Sequence, residues 1–334
     1  MRPIVIILII ALAACSKKPA PEVIADTSPD GKAKSVSALP PPKPSPGVLV
    51  RPRKVDLKQE TVSLWTDSLI DSGWRIQKHY YSAKCRILDP ENRLRAHGLP
   101  RDCKAAFTWL KYKKKIRKRS PRLALLIHGV WSGAVIWQAM EKALRSDGYD
   151  VTTFTYPSSE QGLVGNSQAL HNVLMNLPAD TYREVVIVAH SLGGLVTRSA
   201  LGRNDAADLP VPVRSVVMLG TPNQGARFAS RLGLLARAIV SSSANDLKPE
   251  RVKQLPRVVK SIAVGVIAGG RGADTYGYNV LMGEDNDGVV TVAETKARFM
   301  ADFLRLPVLH VRMTDDKQVI AATRRFLRTG RFRP

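Results

Sequence analysis

Val185-Val186-Ile187-Val188-Ala189-His190-Ser191-Leu192-Gly193-Gly194 is the stretch that decides how this chain folds. Four consecutive β-branched residues suit the middle of a buried parallel strand, where both faces are covered and polar alternation is not needed. The run ends at Ala189 and His190, and from residue 193 to 201 the pattern turns helical. A serine on so abrupt a strand-to-helix turn has its hydroxyl lifted out of the sheet, provided that the residues two before and two after it are small. Ala189 and Gly193 meet that requirement, and Gly194 lets the helix lie close to the strand. Ser191 is therefore a candidate nucleophile.

Outward from this turn, the chain beyond residue 120 alternates short apolar runs with helical patterns. Strands are expected over 123–127, 150–155, 184–189, 213–219, 261–268 and 308–311, and helices over 134–145, 168–177, 193–201 and 317–327. This alternation specifies a mostly parallel central sheet flanked by helices. Residues 226–260 lie between two strands, read as helical over 228–240 and carry Leu232, Leu234 and Leu235, so a short helical cap is expected there. Residues 61–110, with Trp65, Trp74 and Trp109, are expected to add edge strands and a helix to the same domain, which would span 61–334, with an independent small domain as the alternative.

Further candidates flank the turn. His128-Gly129-Val130-Trp131 follows the first core strand, Gly283-Glu284-Asp285-Asn286-Asp287-Gly288-Val289-Val290 offers three carboxylates, and six histidines are available. His79 and His97 lie upstream of the sheet and His171 falls in a helix. His190 is held beside Ser191 by the turn and is expected to point away from it.

Over about residues 120–330, these motifs in this order resemble bacterial lipases and esterases of the α/β-hydrolase superfamily. Ala189-His190-Ser191-Leu192-Gly193 is similar to their Gly-x-Ser-x-Gly turn, with alanine in the first place as in some secreted Bacillus lipases. The resemblance implies the α/β-hydrolase fold and the chain order serine, acid, histidine. It makes Ser191 the nucleophile, His310 the base and Asp287 the acid, with Asp285 and Glu284 as competitors. It also gives the oxyanion hole to the backbone N–H groups of Val130 and Leu192, leaving His128 a structural role. Thr221-Pro222-Asn223-Gln224-Gly225 resembles a Thr-Pro-His-x-Gly loop of lipases and of GPI inositol-deacylase-like hydrolases, with Asn223 in place of histidine. Asp246-Leu247-Lys248-Pro249 resembles a segment near the cap of the same group.

The implied activity is serine carboxylic-ester hydrolysis, through an acyl-enzyme, of an acyl ester or lipid. The alternatives are a phospholipase or deacylase acting on envelope lipids or lipidated proteins, and a catalytically silent envelope-binding protein. Some relatives bind calcium through an acid soon after the catalytic histidine. Arg312 stands at the nearest such position here, so neither a metal nor a cofactor is expected.

The N-terminus carries a separate message. Arg2, an apolar run over residues 4–13 and Leu12-Ala13-Ala14-Cys15 resemble a bacterial lipoprotein signal ending in a lipobox, which implies a lipid on Cys15. The apolar run is too short for a permanent bilayer span. Ser16, in place of Asp, resembles the outer-membrane sorting pattern, so a cell-envelope protein anchored in the outer membrane is expected. Residues 16–60, centred on Pro40-Pro41-Pro42-Lys43-Pro44, bury too little apolar area to offset their ordering entropy and are expected to be a disordered tether. With Cys15 lipidated, Cys85 and Cys103 are left to form a disulfide in an oxidising compartment or to remain two buried thiols. Lys and Arg number 51 against 28 Asp and Glu, a net charge of +23. Basic charge first suggests nucleic acid, but the export signal argues against that partner and favours anionic lipid or lipopolysaccharide.

Overall fold

The computed structural model describes residues 40–56, 64–113, 115–130, 132–227, 245–272 and 276–333. Strands β1 (Leu49–Lys54), β2 (Trp65–Asp71), β3 (Trp74–His79), β4 (Cys85–Leu88) and β5 (Arg93–Gly98) form an antiparallel sheet in the order β1-β5-β4-β3-β2. Helix α1 (Pro100–Tyr112) covers one face, packing Phe107 and Leu110 with Trp74, Ile76, Ile87 and Ala96. The Cys85 and Cys103 sulfurs, one on β4 and one on α1, are bonded to each other.

Two expectations are corrected here. Residues 61–110 build a sheet of their own and do not extend the parallel one. The stretch expected to be disordered contains a strand, β1, which pairs Leu49 with Ala96 and Lys54 with Arg93. An edge strand tolerates Pro52, because only one side of it must donate to the ladder. Cys15 and residues 16–39 lie outside the described residues.

The second sheet is parallel throughout. Its strands are β6 (Arg122–Ile127), β7 (Asp150–Phe154), β8 (Glu184–His190), β9 (Val213–Leu219), β10 (Ala263–Gly269) and β11 (Asp302–Leu306), ordered β11-β10-β9-β8-β6-β7. Alternate residues of β8 enter opposite cores, as the two-residue period of a strand requires. Val185, Ile187 and Ala189 pack with α3 (Leu163–Met175) and α4 (Leu192–Leu201). Val186 and Val188 belong to the other core, with Trp137, Met140 and Leu144 of a 3-10 turn and α2 (Gln138–Ser146), and with Val319 and Phe326 of the closing helix Lys317–Thr329. A parallel sheet covered by helices on both faces, with this order and crossover pattern, is the α/β-hydrolase fold.

The last strand departs from expectation. β11 ends at Leu306, and residues 308–311, read as a strand, form a loop and the 3-10 turn His310–Arg312. A four-residue apolar run interrupted by histidine does not distinguish a strand from a buried loop.

The two sheets meet at the β7 edge. Thr155 and Asp67 bond reciprocally, Asp67 N–H to Thr155 O at 3.0 Å and Thr155 N–H to Asp67 Oδ2 at 2.6 Å. Burial raises the Asp67 carboxyl pKa, against the pull of Arg75 and the hydrogen bond from Gln77 Nε2 at 2.9 Å. Tyr182 completes the joint, accepting from Ser72 N–H and donating to Asp150 Oδ2, both at 2.7 Å.

Candidate active site

Ser191 sits at the β8–α4 junction with φ 53° and ψ −124°, one of the few non-glycine residues with positive φ among those described. Such a conformation is strained and persists only where its surroundings fix it. Here Ser191 N–H is held by Leu219 O of β9 at 2.9 Å, and α4 is pressed against β6. A Cβ at Gly193 would stand 2.5 Å from the main-chain oxygens of Ile127 and His128, which explains the small residue required there.

The loop after β6 lies against the serine: a Cβ at Gly129 would stand 3.0 Å from Ser191 Cβ. His128 anchors this loop. Its ring stacks on Tyr156 with centroids 4.3 Å apart, its Nδ1 donates to Gly129 O at 2.8 Å, and Tyr156 OH donates to His128 O at 2.5 Å. Burial pushes the His128 imidazole down to about 4, so it is neutral near pH 7. Leu192 N–H opens α4 and Val130 N–H follows Gly129; among the described residues neither is taken by an acceptor. Trp131 lies outside the described residues.

Asp287 and His310 form a buried pair. His310 Nδ1 lies 2.7 Å from Asp287 Oδ2, and His310 N–H donates to Asp287 O at 2.9 Å. Asp287 Oδ1 accepts from Val289 and Val290 N–H at 2.9 and 2.7 Å, so both carboxylate oxygens are engaged. Gly288, at φ 98°, makes the turn that aims the carboxylate, and Asn286 braces it through four hydrogen bonds. The competing acids are committed elsewhere. Asp285 accepts from the N–H groups of Arg271 and Gly272, and Glu284 pairs with Arg227 at 3.1 Å.

The β9 end connects this pair to the serine. Leu219 O holds Ser191, and a Cβ on the next residue, Gly220, would stand 2.9 Å from His310 Nδ1 and 3.1 Å from Asp287 Oδ2. Ser191 is half-buried, and its hydroxyl makes no hydrogen bond to His310 in this structure. Bonds of this kind are often long before substrate arrives.

Three supports escaped the reading of the sequence. His190 points its Nε2 at His310 O, 3.0 Å away, and its ring lies 4.6 Å from the His310 ring, so it braces the pair. Burial, and then the neighbouring His310, push His190 down to about 3. Arg198 of α4 donates to the carbonyls of Asn223, Leu255 and Pro256 at 2.9 to 3.0 Å, tying the helix that follows Ser191 to the 221–225 loop. Glu294, on the short helix Val292–Thr295, accepts from Arg227 N–H at 2.8 Å. His190 and Arg198 show in the sequence only as polar residues in apolar surroundings, whereas Glu294 closes a Thr291-x-x-Glu capping box.

The expected cap is only partly described, since residues 228–244 lie outside the described residues. Its flanks meet: Ala226 N–H donates to Leu247 O at 2.9 Å, and Asp246 Oδ2 caps α3 by accepting Leu163 N–H at 2.7 Å. Among the described residues no group of His, Cys, Asp and Glu is placed to hold a metal ion, and no helix is long and apolar enough to cross a membrane.

The model of a family described as "Domain of unknown function (DUF7379)" matches residues 96–273, more than half of the chain. No curated protein matches. Similar solved structures include Bacillus licheniformis lipase BlEst2 in mature form, at 20% identity and TM-score 0.49, covering 64% of this chain and 93% of that one. Phospholipase PlaB from Legionella pneumophila has 18% identity and TM-score 0.48, covering 63% of this chain and 57% of that one. The metagenomic carboxyl esterase MGS0156 has 18% identity and TM-score 0.46, covering 58% of this chain and 66% of that one.

Proposed function

Because the chain belongs to the family described as a domain of unknown function (DUF7379), we propose from the site itself that it is a serine carboxylic-ester hydrolase of the lipase or esterase kind. The observation that carries this reading is the buried Asp287–His310 pair, 2.7 Å apart, lodged against the strained turn that bears Ser191. With Nδ1 facing Asp287, His310 offers Nε2 to take the Ser191 proton as the hydroxyl attacks an acyl carbonyl. The N–H groups of Val130 and Leu192 then receive the oxyanion. His310 returns the proton to the leaving alcohol, and water, deprotonated by the same imidazole, releases the acid from the acyl-enzyme.

A fluorophosphonate probe tests the nucleophile and an ester series from short to long acyl chains tests the reaction. Labelling and turnover that both vanish in folded Ser191→Ala are expected. A wild-type chain that is folded yet neither labelled nor active would leave a catalytically silent envelope protein as the better reading.

The second part of the proposal concerns location and rests on the sequence alone. Cys15 carries a diacylglyceryl anchor that holds the hydrolase at a bacterial envelope membrane, the outer one given Ser16. Cys15→Ser should free the chain from the membrane fraction without touching its esterase activity, and fatty-acid labelling that persists in that variant would refute the anchor.

A further inference from the structure

Large apolar side chains stand exposed beside the Asp287–His310 pair, where a soluble protein gains nothing from showing them. Leu281 is 77% exposed, Val311 74% and Val280 68%, and Leu309, Tyr276 and Tyr278 are also open to solvent. They gather around one loop. Leu309 and Val311 flank His310 in sequence, and a Cβ on Gly288 would stand 3.7 Å from Leu309 and 4.0 Å from Tyr278, which puts those two side chains beside the same point of the acid loop. Tyr278 N–H donates to Asn286 O at 3.1 Å, and the Asn279 main chain bonds Asn286, so the turn bearing Val280 and Leu281 is fastened to the same loop.

Contiguous exposed apolar side chains mark contact sites, and two features choose the partner. Arg271 lies over Tyr276 and Tyr278, 5.7 and 5.9 Å from their ring centres; its main-chain N–H is held by Asp285, while its guanidinium makes no ion pair among the described residues. Tyrosine with arginine at the border of an apolar patch suits the boundary between lipid headgroups and acyl chains. The chain's net charge of +23 draws it toward a negative surface. We infer that the apolar rim formed by Tyr276, Tyr278, Val280, Leu281, Leu309 and Val311, with Arg271 at its border, docks this protein onto an anionic phospholipid surface and brings the site to acyl esters held there. The inference deepens the hydrolase reading, since it names the physical state in which the substrate is met.

The test uses the full chain with Cys15→Ser, so that no acyl anchor can supply the binding, and reads co-sedimentation with phosphatidylcholine vesicles with and without phosphatidylglycerol. Binding to the phosphatidylglycerol vesicles is expected. It should weaken at least fivefold in the double variant Val280→Ser, Leu281→Ser, which keeps every charge, and also weaken in Arg271→Ala, each shown by circular dichroism to be folded. The inference is overturned by no binding to phosphatidylglycerol vesicles, by equal binding to phosphatidylcholine alone, or by a double variant that binds like the parent. A concentration-dependent dimer that the double variant abolishes, without vesicle binding, would assign the rim to a second copy instead. Binding is read without turnover, so vesicle association by a chain that hydrolyses no ester would refute the hydrolase reading and leave the docking surface standing.

Discussion

His190 donates from Nε2 to the main-chain oxygen of His310 across 3.0 Å, so the residue before the proposed nucleophile holds the backbone of the proposed base. A carbonyl can only accept, which fixes the proton on Nε2 and leaves Nδ1 without a hydrogen-bond partner among the described residues. One side chain thereby ties the two halves of the site across 120 residues of sequence.

Loss of this brace should show in the rate more than in binding. His190→Phe fills the same space without the donor and should lower kcat on the order of tenfold to a hundredfold, because small misplacements of a reacting group are costly. KM for a short ester should change little, and His190→Gln, which still carries a donor, should recover part of the loss. Steady-state kinetics on the three proteins checks this, and equal activity in all three would reduce His190 to a packing residue.

Asp287 should dominate the carboxylates of its loop. Asp287→Asn is expected to keep the fold and lose about a thousandfold or more in kcat, because the His310 tautomer and its developing charge lose their support. Asp285→Asn and Glu284→Gln should cost far less, since those carboxylates hold the 271–272 turn and Arg227. Turnover numbers for the three variants decide the assignment.

The buried histidines should make the fold acid-sensitive. His128 and His190 stay neutral in the folded protein down to about 4 and about 3, whereas an unfolded histidine takes up a proton near 6.5. Acidification from pH 6.5 toward 4 therefore favours the unfolded chain, by up to about 1.4 kcal/mol per pH unit for each group. Asp67, raised by burial, works in the opposite sense above about pH 3.8, so variants are needed to separate the contributions. The unfolding free energy of His128→Phe, which keeps the stacking on Tyr156, should fall less steeply with acid, by up to one proton. Urea titrations at several pH values measure that slope.

The Cys85–Cys103 bond joins β4 to α1 across 18 residues. By the loop-entropy relation, replacing both cysteines with serine should lower stability by about 3 kcal/mol. Denaturant midpoints measure the loss. Ester turnover should persist in the folded variant, because the bond lies in the antiparallel sheet, away from Ser191 and His310.

Much of this was legible in the residues, and the part that was not has physical causes. Val185 to Val188 announced a central strand because nothing but burial on both faces tolerates such a run, and Asn286-Asp287-Gly288 announced a turn because Gly288 supplies the positive φ it needs. The antiparallel sheet was hidden because Arg75, Gln77 and Arg86 are polar yet buried, so its strands lack the usual alternation of apolar and polar positions. β1 was hidden by Pro52 and by its charges, which an edge strand tolerates. His310 was expected at the end of a strand and is found in a 3-10 turn after β11, because its position follows from the Asp287 loop more than from local preference.

Ala226 and Leu247 meet through a main-chain hydrogen bond, with Arg227 fastened to Glu294 on one side and Asp246 to α3 on the other. Departure and return are thus secured by the parallel-sheet scaffold itself, whatever segment runs between them. Lengthening or shortening that segment changes the closure entropy only slowly, about 0.6 kcal/mol for each doubling. This makes the pair a natural splice point: evolution, or an engineer, can exchange what lies between 227 and 245 as a cassette and so alter which molecules reach the candidate site without rebuilding the frame around it.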